Sequence, residues 1–92
     1  MDTAKLQRLT WKMRDGYNSR TQVILDWIKN ASAQEVTLES MNIHELELKN
    51  LDDSYMKLEE NCKILDQKVD VTADTHTLEK LFKKFMLGPP YL

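Results

Sequence analysis

Cysteine, glycine and proline are nearly missing from this chain of 92 residues, which holds one Cys, two Gly and two Pro. A single cysteine, Cys62, cannot close a disulfide within the chain, so a disulfide-stapled fold is excluded. So few turn formers also exclude the turn-dense β sandwiches and barrels. No apolar run approaches the roughly 18 residues that a membrane-crossing helix needs. The N-terminal stretch MDTAKLQRLTWK carries a charge every few residues and has no continuous apolar core, so no secretory signal is read there. These absences predict a soluble, intracellular protein, cytoplasmic or nuclear, with a virion component also compatible. Soft metal ligands are scarce as well. His44, His76 and Cys62 lack the paired spacings of a zinc site, so neither a metal nor any other cofactor is expected.

What the chain does contain is apolar and charged residues in helical rhythm. At 41% hydrophobic and 30% charged it is too apolar for a disordered tail, and its length suits one domain, residues 1–92. Net charge is only -2, but it is unevenly spread. Residues 1–31 hold six basic and three acidic side chains, net +3, whereas residues 32–62 hold two basic and eight acidic, net -6. A basic segment followed by an acidic one predicts that the two lie together, or that identical chains pair head to tail.

A first helix is predicted over about residues 3–31. Leu6, Leu9, Met13, Tyr17, Arg20, Ile24 and Trp27 recur at steps of three or four and so share one face. The stretch RDGYNSR is its weak point, because Gly16 and Asn18 favour turns; the unbroken apolar phase argues for continuity. Ser32 with Glu35 matches a capping box and predicts a second helix over about residues 33–70. Along it Met41, His44, Leu48, Leu51, Tyr55, Leu58, Cys62, Leu65 and Val69 alternate steps of three and four, the seam of a coiled coil. Such a rod of roughly 35 residues would span about 50 Å. A connector, DVTADTHT, leads to a short helix over about residues 77–87. There Leu78, Leu81, Phe82, Phe85 and Met86 oppose Lys80, Lys83 and Lys84, and Gly88-Pro89-Pro90 opens the tail, residues 88–92.

The fold predicted is therefore all-α, a long antiparallel helical hairpin or coiled coil with a short C-terminal helix. With a tight turn at Ser32 the facing positions sum to about 67, which sets Trp27 near Met41, Ile24 near His44, Arg20 near Glu47, Met13 near Tyr55 and Leu6 near Cys62. Apolar meets apolar, and the one seam cation meets an acid. A continuous rod built from two or more chains is the alternative. In part the chain resembles a spectrin-type repeat: VILDWIKNA is similar to its first helix, with a Trp on the core stripe, and IHELELKNL to its second. That resemblance covers about half the chain and stops where a third long helix should run, since residues 78–87 are too short and bring no second core Trp.

Helices committed to a seam leave little concavity for catalysis, so no enzyme is expected. Val36, Leu38, Ile43, Leu46 and Ile64 fall off the main seam and should face something else. The function predicted is that of a structural or adaptor protein acting within a larger assembly, through self-association, a dimer first of all, or through a partner helix. The alternative is an adaptor that binds a membrane surface or nucleic acid through the basic C-terminal helix or the basic first helix. A pI near 5.6 weighs against a phosphate-tracking protein.

Overall fold

The computed structural model describes residues 2–31 and 36–86. Within them three helices follow one another: α1 Thr3–Asn30, α2 Leu38–Ile64 and α3 Thr75–Met86. The first two pack side by side as an antiparallel hairpin, and α3 lies across one face of it at the closed end. The Cα atoms span 53 × 18 × 17 Å, as expected for a hairpin whose longer arm is 28 residues.

Each helix end has a local chemical cause. Asp2 caps α1 by accepting a hydrogen bond from the Ala4 amide at 3.1 Å. The chain then stays helical through Gly16 to Asn30, so the expected weak point holds. Asn18, which could have favoured a turn, instead uses its side-chain oxygen to accept the Thr72 amide at 3.0 Å. At the start of α2 the cap is Thr37: its hydroxyl accepts the Ser40 amide at 3.0 Å while the Ser40 hydroxyl accepts the Thr37 amide at 3.0 Å. The expected Ser32–Glu35 box lies outside the described residues, and the helix begins at Leu38 rather than near residue 33.

The far end of α2 departs most from expectation. The seam does not run to Val69. Leu65 is the C-cap, Asp66 turns left-handed at φ 54°, and the Gln67 amide reaches back to the Cys62 carbonyl at 2.9 Å while the Asp66 amide reaches Lys63 at 3.2 Å. This is the Schellman closure, built here on an aspartate where glycine is usual. A helix of 27 residues is about 40 Å long, shorter than the 50 Å rod predicted. Val69 consequently lies in the connector. Helix α3 starts two residues earlier than expected because Asp74 caps it, accepting the Thr77 amide at 2.7 Å. Those bonds from Thr77 hold the Asp74 carboxyl below its ordinary range.

The principal core forms where all three helices meet: Tyr17 and Ile24 of α1, Leu48 and Leu51 of α2, and Leu78 and Phe82 of α3. Leu25, Trp27, Ile28, Tyr55, Val71 and Ala73 pack around it. Toward the open end of the hairpin only two helices remain, and Leu58 and Cys62 are buried there together with Thr10. Thr10 and Thr21 have no exposed surface, yet both hydroxyls are satisfied, donating to the Leu6 carbonyl at 2.7 Å and the Asn18 carbonyl at 3.0 Å. Their short side chains let the two rods approach, since each polar atom is turned back on its own helix.

Candidate interaction surface

Cross-helix contacts set the register. Arg20 meets Glu47 at 2.7 Å, as the pairing rule anticipates. Trp27 packs on His44, three residues beyond the expected Met41, with ring centroids 4.1 Å apart. Tyr55 packs on Tyr17 at 5.6 Å, and the Asn61 amide donates to the Met13 sulfur at 3.6 Å. The contacts of Trp27, Tyr17 and Met13 sit about one helical turn further along α2 than a turn at Ser32 would give, while the long Arg20 and Glu47 side chains still meet at the anticipated positions. Because the cap is Thr37, five residues later, the connection is longer and α2 slides by about that turn. A slip of one turn keeps apolar against apolar, which is why the seam residues were recognisable although their partners were not.

Most of the predicted seam is where it was expected. Tyr17, Ile24, Leu48, Leu51, Leu58 and Cys62 are buried, while Leu6, Met13, Met41, His44, Tyr55, Leu65 and Trp27 are half-buried. Leu9 is the clear exception: 54% of it is exposed, so it does not belong to the hairpin seam. The buried and half-buried stripe of α1 runs Leu6, Thr10, Met13, Tyr17, Thr21, Ile24 and Ile28, centred away from Leu9 and Arg20, with Trp27 at its edge held by His44, Phe82 and Phe85. Counting threonine as a small β-branched core former would have found it. Arg20 lies at the rim with Glu47, its side chain 41% exposed, where such a pair contributes about 1 kcal/mol or less.

Helix α3 spends its apolar face on this body. Leu78, Phe82 and Phe85 are buried, and Phe82 and Phe85 both lie against Trp27, with centroids 6.2 and 4.7 Å away. Leu81 is at the edge, 38% exposed, and Lys80, Lys83 and Lys84 point to water. The connector and the first residue of α3 are pinned to the hairpin: the Tyr17 hydroxyl donates to the Ala73 carbonyl at 2.7 Å and the Thr75 hydroxyl to Asp52 at 3.0 Å. Burial, with Tyr55 as a smaller contributor, raises the Tyr17 phenol well above its ordinary pKa. Burial likewise raises the Cys62 thiol, which disfavours the reactive thiolate.

The surface that remains uncovered is apolar in places. Leu9, Val23, Leu38, Ile43, Leu46, Met56 and Ile64 each keep more than half of their surface in water. Four of the five off-seam residues predicted to face outward do so; Val36 is half-buried. By helical phase α3 covers the edge of α2 carrying Glu45, Leu48, Lys49 and Asp52, so Val23 and Ile43 open on the opposite face. There Arg20, Val23, Ile24, Ile43, His44 and Glu47 line a cleft of about 210 Å³ between the two rods. The Nδ1 atom of His44 is buried without a hydrogen-bond partner among the described residues. Among the described residues no group of three or more His, Cys, Asp or Glu side chains is placed to hold a metal ion. Likewise among the described residues, no helix is long and apolar enough to cross a membrane.

Charge is also left over. Among the described residues only two ion pairs form, Arg20–Glu47 across the hairpin and Arg14–Asp15 along α1. Exposed Lys5, Arg8 and Lys12 therefore have no acidic partner among the described residues, and there the complementarity between basic α1 and acidic α2 is largely unused.

Comparison with protein-family models, with curated proteins and with solved structures gave no match.

Proposed function

We propose that this chain is a non-enzymatic structural or adaptor module that associates through its helices, with a second copy first of all or with the helix of a partner, inside a larger assembly. The observation that carries this reading is the set of exposed apolar side chains on the two long helices, Leu9 and Val23 on α1 and Ile43, Leu46 and Ile64 on α2. Several large apolar side chains left in water along both long helices offer edges on which another helix can pack. The unused opposite charges of α1 and α2 add orientation to that surface.

Thermal unfolding followed by circular dichroism tests the reading. If folding is coupled to association, the melting temperature rises by several degrees between about 2 and 200 µM, because mass action stabilises the associated state. A melting curve independent of concentration, with no helical partner able to shift it, would refute the proposal. The membrane reading loses its main support here, since Leu78, Phe82 and Phe85, the side chains that would enter a bilayer, are packed against Trp27 and the hairpin.

A further inference from the structure

Leu9, Gly16 and Val23 stand seven residues apart on α1 and share one helical face, closed at its C-terminal end by Trp27, which is turned to Phe82 and Phe85. All three are exposed, Leu9 by 54% and Val23 by 64%, and among the described residues nothing beyond the helix's own backbone lies within 4 Å of where a Gly16 side chain would begin. A glycine in mid-helix costs about 1 kcal/mol against alanine, and no contact within this chain requires it. The spacing is also symmetric about Gly16. Two such helices laid antiparallel put Gly16 against Gly16, and Leu9 of each against Val23 of the other.

We infer that two copies of this chain dock by their α1 helices, antiparallel, crossing at Gly16, with Leu9 of each copy seated beside Val23 of the other. The inference rests on the self-association proposed above and names its surface. Four features of the chain support a second copy as the occupant. The first is the bare glycine, which lets two backbones approach closely at the crossing point. The second is a receptor for the knob: Leu9 of one copy falls on the cleft that Val23 and Ile43 line in the other. The third is that one two-fold axis satisfies both sites at once, since Leu9 and Val23 are 14 positions apart, about 21 Å, with Gly16 midway. The fourth is charge. At the same register Asp26, which is exposed and accepts only from Gln22 at 2.9 Å, comes opposite the unpaired Lys5 and Arg8 of the other copy, twice over, while Lys12 falls opposite Ser19.

Sedimentation equilibrium of the whole chain and three variants tests this. The unsubstituted chain is expected to form a dimer. Leu9→Glu should weaken it by at least about a hundredfold, since the loss occurs at both ends of the seam. Gly16→Leu is the sharper probe: it has open space and better helix propensity, so helix content and melting of the monomer should hold or rise while the dimer is lost. Leu46→Glu probes the α2 part of the exposed apolar set as the competing surface: if α1 forms the seam, the dimer constant should hold within a few-fold. A dimer that survives Leu9→Glu and Gly16→Leu but falls with Leu46→Glu would overturn the α1 seam and leave self-association standing. A monomer throughout for the unsubstituted chain would overturn both.

Discussion

The closed half of the hairpin and its open half are built from the same two helices, yet they are held by different means. In the closed half Tyr17, Ile24, Leu48 and Leu51 meet Leu78 and Phe82 of α3, so a third rod closes the groove. In the open half Leu58, Cys62 and Thr10 are buried between two rods alone, beside the half-buried Leu6 and Met13. Two helices bury one stripe each, whereas three enclose a centre. The lesson is that α3, although only 12 residues long, decides where this chain has a true interior.

That contrast can be broken at single positions. Leu51 and Leu58 are both almost completely buried, at 0% and 1% exposure. Leu51→Ala should cost about 4 kcal/mol, because the three-helix site cannot collapse around the cavity, and Leu58→Ala about 2 kcal/mol, because two rods can close inward. Urea unfolding measures both, and equal losses would contradict the distinction. Leu78→Ala should cost about 3 kcal/mol by the same measurement, and it should also free Trp27 from its stack on Phe82 and Phe85. A red shift in tryptophan emission reports that release, although the exposed Trp11 sets a constant background.

A smaller effect sharpens the same comparison. Tyr17→Phe removes the hydrogen bond to Ala73 that pins the connector to the closed half and should cost about 1 kcal/mol. It also carries a pH signature. The Tyr17 pKa is raised above the ordinary value of 10.0, so the buried neutral phenol contributes stability that is fully present below pH 10 and is lost as pH rises beyond it. Alkaline titration of the unfolding free energy should show this loss, and Tyr17→Phe should remove much of it. The smallest change lies at the end of the open half: Asp66→Gly, at φ 54°, should stabilise by about 1 kcal/mol or a little less, since glycine adopts that conformation without steric cost. A neutral or destabilising result would mean that the Asp66 side chain makes a compensating interaction.

These positions also show how much was readable in the sequence. The three helices and the apolar face of α3 follow from periodicity, because burial of a stripe imposes it, whereas periodicity alone leaves both the antiparallel hairpin and a continuous rod of several chains open. The end of α2 was not readable: Leu65 and Val69 continue the heptad phase, and only the backbone at Asp66 breaks it. Register was not readable either, since a slide of one turn leaves every apolar residue facing apolar residues, and the capping pair Ser32–Glu35 was as good a start on paper as Thr37 and Ser40. On α1, apolar spacing alone selects Leu9 and leaves out Thr10 and Thr21, which are fully buried. A threonine hydroxyl bonded to its own helix behaves as part of the core, so the true stripe lay a few tens of degrees away.

The outer surface was readable in part, for the residues off the α2 seam were expected to face outward. Gly16 looked like a possible break. It becomes meaningful only once the helix is seen to continue past it with nothing packed against it.

Association of the hairpin is most directly tested by its mass in solution. Sedimentation equilibrium of the purified 10.8 kDa chain across the micromolar range should give a weight-average mass that climbs toward twice that value. A mass that stays at 10.8 kDa up to several hundred micromolar would contradict it.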